Sequence, residues 1–258
     1  MVHRRNSALV LLMVEPVKDA QMIHLALYSV ESGYEKEFDD WYRMVHVPEV
    51  LSRDGWRSLQ TYRCMTDTSR ISIYDLDGAA ATVSFLSEAP FREGPFTERG
   101  LRNYFARTWR QISERGRSFG GARWLNLVML DVLPDYAESI SRWYDEVHVP
   151  EILGCPGWLG NRRFESLDGD PRFLALYELS DPQLAFDSHE WARAVGWDEQ
   201  VAGIRGFYGF RVYELMFNSE SSAGQAESGG GDGGGEPFLR GEVRTEDQTL
   251  VNENPNDE

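Results

Sequence analysis

Two histidines lie at the same position of a segment that occurs twice in the chain. Residues 41–56 read WYRMVHVPEVLSRDGW, residues 143–158 read WYDEVHVPEILGCPGW, and ten of the sixteen positions are identical. His46 and His148 are therefore 102 residues apart. Neutral imidazole accepts a proton near pH 7 and imidazolium returns it, which predicts general acid/base chemistry. A structural interpretation stays open beside it, in which each histidine satisfies carbonyls at a kinked helix end.

Each histidine has a tyrosine and a glutamate close to it in the sequence. Tyr42 and Tyr144 precede the histidines by four residues, which predicts a phenol one helical turn away on the same face. Glu49 and Glu151 follow by three residues, and a carboxylate within reach would fix the imidazole tautomer and favour its charged form. We predict that these residues complete two catalytic sets, and we do not expect the two to be equally active.

Five further residues are candidates for substrate binding. Trp41 and Trp143 would stack on an aromatic substrate if they face it, although packing is the commoner role for such residues. His24 lies in the first predicted strand, where an exposed edge position is the alternative interpretation. Arg107 and Arg211 lie in the last predicted strand of each half, and a guanidinium there could bind a substrate carboxylate or phenolate.

The spacing of histidines and cysteines argues against a metal site. The chain has five histidines and two cysteines, and no HExxH, HxH or CxxC pattern occurs. Neither a dinucleotide fingerprint nor a Ser-His-Asp elbow is visible. We therefore predict that the protein uses no metal and no cofactor, with axial haem ligation as the alternative role for His46 or His148.

The order of predicted elements repeats with the segment. In the first half a strand at 23–30 precedes a helix at 34–45, which Pro48 is predicted to disturb. The other predicted elements of this half are a strand pair, a helix and a last strand, at 56–64, 69–76, 78–87 and 103–114. The second half repeats the order at 124–132, 136–147, 158–166, 172–179, 181–195 and 206–217. Each half thus has the β-α-β-β-α-β order of a ferredoxin-like module.

These elements divide the chain into four predicted regions. They are an N-terminal extension at 1–21, a first module at 22–115, a second module at 122–217 and a disordered tail at 218–258. The tail is acidic and contains the low-complexity run ESGGGDGGGE. A ferredoxin-like sheet has helices on one face only, so we expect the two sheets to close face to face into a barrel around a central space.

Composition narrows the classes of partner. The net charge is −16 and the sequence pI is about 4.8, which argues against nucleic acids and anionic membranes as partners. The cysteines show no disulfide framework, and no apolar stretch has the length of a membrane span, so we predict a cytoplasmic protein. The predicted partner is a small apolar or aromatic molecule, and a homodimer remains open.

The element order and the Trp-Tyr-x-x-x-His-x-Pro-Glu motif at 41–49 and 143–151 resemble the dimeric α+β barrel superfamily, nearest its EthD-like branch. The resemblance covers about residues 22–217 in two copies, and it implies an α+β fold in which one chain forms a pseudo-dimeric barrel. In several enzymes of the superfamily a histidine near the end of the first helix points into the barrel and handles protons, which would assign that role to His46 and His148.

The resemblance leaves several functions open, because the superfamily includes lyases, isomerases, cofactor-free monooxygenases, haem-degrading enzymes and proteins of unknown role. The leading expectation is a cofactor-independent lyase or isomerase that acts on a small oxygenated aromatic or polyketide-like compound inside the barrel. The first alternative is a cofactor-free monooxygenase of an electron-rich phenol. The second is a non-catalytic protein that binds a small molecule or acts as a scaffold.

Overall fold

Eight antiparallel strands form one closed barrel in the computed structural model. The residues described are 21–77, 100–117, 120–167, 169–194 and 201–222. The strands are β1 Met22–Val30, β2 Trp56–Cys64, β3 Ser69–Leu76, β4 Leu101–Gly116, β5 Trp124–Val132, β6 Trp158–Ser166, β7 Phe173–Leu179 and β8 Ile204–Asn218. The predicted helix at 78–87, and nearly all of the predicted extension and tail, lie outside the described residues.

The strand order is the same in the two halves of the barrel. Around the barrel it runs β1-β3-β2-β8-β5-β7-β6-β4, so each half contributes four neighbouring strands in the ferredoxin-like order. The halves join where β2 pairs with β8 and where β4 pairs with β6. The predicted α+β class is therefore confirmed.

Helices pack on the outside of this barrel. Those of the first half are α1 Glu35–Trp41 and α2 Val47–Leu51, separated by a π-helical turn at Tyr42–His46. Those of the second half are α3 Ala137–Trp143, α4 Val149–Leu153, α5 Pro182–Asp187 and α6 His189–Ala194, with a π-helical turn at Tyr144–His148. A short helix, α7 Ser219–Ser222, follows β8.

The π turn explains how each helix continues past its proline. Val47 donates its backbone N–H to the carbonyl of Tyr42, five residues back, so the hydrogen-bond register changes just before Pro48. The proline then stands at the start of α2, where a missing N–H costs least. The prediction that Pro48 disturbs the helix is correct for its hydrogen bonding, but the chain remains helical to Leu51.

Side chains alternate between the two faces of the barrel wall. In β1, Ile23 and Leu25 belong to a cluster that draws on strands of both halves, whereas Ala26 and Tyr28 pack with the first-half helices. The first cluster fills the barrel interior with buried apolar side chains: Ile23, Leu25, Tyr62, Cys64, Ile71, Ile73, Trp109, Leu125, Leu127, Met129, Phe164, Leu174, Leu176 and Tyr213. An eight-stranded barrel is just wide enough for side chains to fill.

Candidate active site

The π turn places a tryptophan ring against each repeated histidine. Residues five apart on an α-helix point about 140° away from each other, but a π turn is wider and brings them onto one face. The ring centroids of Trp41 and His46 are 5.2 Å apart, and those of Trp143 and His148 are 4.8 Å apart with nearly parallel planes. The shared spacing of the motif therefore brings the same two rings into contact in both halves, tilted by 35° in the first and stacked at 22° in the second.

Both histidines lie between a helix and the outer face of the sheet. His46 is 3% exposed and His148 is 6% exposed. Tyr42 and Tyr74, which contact His46, belong to the helix-side cluster of the first half. The expectation that the histidines point into the barrel is therefore wrong. The helices cover only the outside of the wall, so their side chains meet the outward residues of the strands.

A chain of hydroxyl groups runs from His46 along the sheet in the first half. His46 Nε2 is 3.0 Å from the Tyr74 hydroxyl, which is 2.7 Å from the Tyr42 hydroxyl. Tyr42 donates to Ser72 Oγ at 2.7 Å, and Ser72 Oγ is 3.0 Å from the Tyr28 hydroxyl. All five side chains are buried. The predicted pairing of His46 with Tyr42 is thus a ring contact, with Tyr74 as the hydrogen-bonding link between them.

Burial keeps His46 and the tyrosines of this hydroxyl chain uncharged at neutral pH. It lowers the pKa of His46 to about 4, with a smaller contribution from the Arg53 charge. Burial also raises the pKa of Tyr42 and of Tyr74 well above the ordinary phenol value. His46 is therefore a neutral imidazole at pH 7, able to accept a proton but disfavoured from keeping the resulting charge.

The second half has the same turn but different strand residues beneath it. Tyr144 and Tyr177 correspond to Tyr42 and Tyr74, whereas Ala175 and Leu130 stand where the first half has Ser72 and Tyr28. No hydroxyl chain can form through an alanine and a leucine.

A buried arginine occupies this space in the second half. Arg163 is 2% exposed and its guanidinium lies 4.8 Å from the ring centroid of Tyr144. It pairs with Asp145 at 2.7 Å and donates to the Ser141 carbonyl. Burial lowers the pKa of His148 to about 4, with a smaller contribution from the Arg163 charge.

The two predicted catalytic glutamates do not contact the histidines. Glu49 is exposed and pairs with Arg53 at 3.3 Å, on the solvent side of α2. Glu151 is exposed as well, and its carbonyl accepts from the Cys155 thiol. The prediction that a carboxylate favours the charged imidazole is therefore wrong. A spacing of three residues across the end of a π turn carries the side chain past the histidine and into solvent.

The structure divides the predicted substrate-binding residues between the two faces of the barrel wall. His24 lies on the helix side, with its ring 5.9 Å from that of Tyr74 and Nδ1 3.3 Å from the Thr108 hydroxyl. Arg107 and Arg211 pair in register with interior leucines and so face the other side. Arg211 forms an ion pair with Asp67, and Arg107 lies over the Phe105 ring.

Sequence reasoning missed Ser72, Tyr74 and Tyr28. A signal was present for Tyr74, since SIYDL at 72–76 and ALYEL at 175–179 match with an offset of 103 instead of 102. The one-residue change of offset hides the match from an alignment anchored on the histidine motif. Ser72 and Tyr28 have no counterpart of the same type in the second half, so no repeat could reveal them.

Beside the hydroxyl chain is a small cavity of about 10 Å³. It is lined by Tyr28, Phe38, Asp39, Tyr42, Arg43, Thr61, Arg70, Met216 and Phe217. Among the described residues, no group of three or more histidine, cysteine, aspartate and glutamate side chains could hold a metal ion. The helices within these same residues include none that is long and apolar enough to cross a membrane.

Comparison with solved structures shows the fold but no family. A proposed monooxygenase from Fusobacterium nucleatum matches with a TM-score of 0.58 at 8% identity, over 78% of this chain and 94% of that chain. An anthrone oxidase-like protein matches with a TM-score of 0.61 at 13% identity, over 79% and 94%. Chlorite dismutase from Candidatus Nitrospira defluvii matches at 0.52 and 13%, over 76% and 91%.

No protein-family profile matches the sequence, and no curated protein matches it significantly. At identities this low the structural likeness establishes a shared architecture, the α+β barrel of ferredoxin-like modules, and leaves the chemistry to be argued from the residues.

Proposed function

We propose that this protein is an enzyme in which His46 acts as general base on a small oxygenated aromatic compound. The observation that supports this most is the buried neutral imidazole whose Nε2 is hydrogen-bonded to a phenol that is itself hydrogen-bonded. A histidine with a depressed pKa is deprotonated at physiological pH, so it can accept a proton, although it is a weaker base than an exposed imidazole. A substrate would bind in the helix–sheet layer of the first half.

The groups around His46 have separate roles in this proposal. Tyr42 and Tyr74 are protonated phenols whose hydroxyl groups connect His46 to Ser72 by hydrogen bonds. Trp41 holds the imidazole through a tilted ring contact, which makes it a positioning residue. The cavity of about 10 Å³ is far smaller than an aromatic substrate, so binding must displace the side chains that line this layer.

Proton removal is the step shared by two reaction classes. In a lyase or isomerase, the proton taken by His46 returns to another atom of the substrate. In a cofactor-free monooxygenase, the electron-rich carbanion reacts with oxygen, as when anthrone and O₂ give anthraquinone and water without an external reductant. The names of two structural neighbours, a proposed monooxygenase and an anthrone oxidase-like protein, favour the second class.

The proposal extends to the origin of the chain. We take the repeated motif, the repeated π turn and the common strand order as products of a tandem duplication of an EthD-like module. Because, among the described residues, the hydroxyl chain lies in the first half, we assign catalysis to that half. We also propose that the reaction uses no bound cofactor and takes place in the cytoplasm.

The test uses the full-length protein with anthrone, naphthols and hydroxylated lactones as probes. Turnover is followed by oxygen uptake and by exchange of the acidic C–H hydrogens with deuterated water. Oxygen uptake indicates a monooxygenase, whereas exchange or product formation without uptake indicates a lyase or isomerase. His46→Ala should lower kcat by roughly 10²–10⁴-fold.

His148→Ala is the matched comparison, because it removes the equivalent imidazole from the second half. We expect its effect on kcat to be much smaller than that of His46→Ala. Equal losses in the two variants would contradict the assignment to the first half. Full turnover by His46→Ala, or ligand binding without any turnover in the wild type, would replace the enzyme proposal with that of a binding protein.

A further inference from the structure

The hydrogen bonds of the first half run in one direction. Tyr42 donates to Ser72, and a phenol has a single proton, so the contact between Tyr42 and Tyr74 must be donated by Tyr74. The Tyr74 proton is then used as well. His46 Nε2 must therefore carry the proton that is shared with the Tyr74 oxygen, and in a neutral imidazole this leaves the basic lone pair on Nδ1.

The far end of the chain meets the small cavity. The hydroxyl of Tyr28 is 3.0 Å from Ser72 Oγ, and Tyr28 lines the cavity together with Asp39 and Arg70. A volume of about 10 Å³ is close to the minimum that one water molecule needs. Asp39 forms an ion pair with Arg70 and its side chain is 28% exposed, so this cavity has a carboxylate that reaches solvent.

We infer that this chain of hydroxyl groups is a proton relay. It removes a proton from His46 when His46 accepts one from the substrate. The inference rests on the proposed function. Nδ1 accepts the substrate proton while Nε2 passes its own proton to Tyr74, and each hydroxyl passes one proton onward through Tyr42 and Ser72 to Tyr28. Tyr28 delivers a proton to the Asp39 side of the cavity. One proton enters and one leaves, and no group in the chain gains a lasting charge.

The relay answers a difficulty that burial creates. Imidazolium is strongly disfavoured at a site that is 3% exposed, next to the Arg53 charge that opposes it. A base that must hold the proton would be weak there. A histidine that loses its Nε2 proton in the same step in which Nδ1 gains one never becomes a buried imidazolium.

The first test needs no substrate. Nitrogen NMR of the full-length protein labelled in its histidine rings should show His46 protonated at Nε2 and unprotonated at Nδ1 at pH 7. Exchange of the Nε2 proton with water should slow at least ten-fold in Ser72→Ala. A proton on Nδ1 would overturn the relay, because the hydrogen bonds would then run the opposite way.

The second test is kinetic and uses anthrone or another probe that the wild type turns over. Ser72→Ala should lower kcat about ten-fold or more, with Ser72→Thr restoring it since the hydroxyl is retained. In mixtures of light and heavy water the wild-type rate should curve with deuterium content, as several protons move together. The Ser72→Ala rate should depend linearly on it. A merely structural role would lower the rate without removing the curvature.

Controls come from the second half. Alanine already occupies the equivalent position at Ala175, which is 4% exposed, so alanine fits this site in the sheet. Ala175→Ser should leave kcat unchanged. If His46→Ala is inactive while Ser72→Ala keeps the wild-type rate and curvature, the relay fails and the proposed function stands. If His46→Ala is active, both fail. Tyr28→Phe interrupts the chain at its end and decides the matter should Ser72→Ala not fold.

Discussion

The two halves of the barrel use one helical motif over two different sheet surfaces. In the first half the outward strand residues include Ser72 and Tyr28, which extend a hydroxyl chain from the histidine. In the second half the corresponding residues are Ala175 and Leu130, and Arg163 fills the space with a buried charge. The motif therefore positions the imidazole, and the residues of the strands beneath it determine whether that imidazole has proton-transfer partners.

The largest expected difference between the halves concerns the buried charge. Arg163 is held by Asp145 at 2.7 Å, and removal of the carboxylate leaves a cation that is 2% exposed and whose other partners in the described structure are Ser141 and aromatic rings. Asp145→Ala should lower the free energy of unfolding by about 3 kcal/mol. The matched first-half variant is Arg43→Ala, at an exposed position, which should change it by less than about 0.5 kcal/mol. Urea denaturation measures both, and similar losses would show that Arg163 does not depend on its ion pair.

Acid stability offers the next contrast, because the first half has one more buried histidine. Burial lowers the pKa of His24 to about 3, below the ordinary value near 6.5 that the unfolded chain has. The unfolded state therefore binds more protons as the pH falls below 6.5, and the stability falls with it. By pH 5 each such histidine should cost about 2 kcal/mol relative to pH 7. His46 and His148 contribute in the same direction.

Exchanging the residues at the equivalent positions 24 and 126 tests this difference in acid stability. Asn126 occupies the place of His24 in the second half, so His24→Asn should reduce the stability lost between pH 7 and pH 5 by about 2 kcal/mol. Asn126→His should increase that loss. The measurement is urea unfolding at the two pH values. An unchanged pH dependence in both variants would mean that neither position keeps an imidazole neutral.

A smaller difference is expected at the paired tyrosines. The Tyr74 hydroxyl contacts both His46 and Tyr42, so Tyr74→Phe should cost about 1–2 kcal/mol in unfolding free energy. Within the described part of the chain, the buried Tyr177 hydroxyl has no hydrogen-bond partner. Tyr177→Phe should thus be neutral or slightly stabilising, since it removes a desolvated polar group. Thermal unfolding of the two variants side by side measures the difference, and an equal loss would argue against the hydroxyl chain.

The features of the fold and site that depend on local sequence patterns could be predicted, whereas those that depend on contacts between distant segments could not. The strand and helix positions follow from local patterns, and the repeat places His46 and His148 at equivalent sites. The π turn was not predictable from an α-helical spacing, and it brings the Trp41 ring against His46 while Glu49 points to solvent. The side of the barrel wall on which the histidines lie was not predictable either, because it depends on which face of the sheet the helix packs against.

Tyr74 and Ser72 show the remaining limit. They reach His46 and Tyr42 across 28 and 30 residues, through packing of β3 under the helix, and no local spacing encodes such a contact. A reader who aligned the strands separately would find Tyr74 through Tyr177. Ser72 would remain hidden, because the two halves differ at that position.

The smallest expected effect belongs to the two glutamates of the motif, which lie at equivalent and exposed positions in both halves. Glu49 forms a surface pair with Arg53 on one helix, and such pairs contribute about 0.3–0.5 kcal/mol. Glu49→Gln should therefore change the unfolding free energy by no more than that, and Glu151→Gln should behave in the same way. Neither should alter kcat more than about two-fold, since neither carboxylate touches an imidazole. A much larger loss of kcat in Glu49→Gln alone would mean that the first-half helix rearranges during turnover and brings this carboxylate to His46. Measuring kcat for the two variants with one probe thus tests whether exposed residues at equivalent positions of the two halves have equally small effects on turnover.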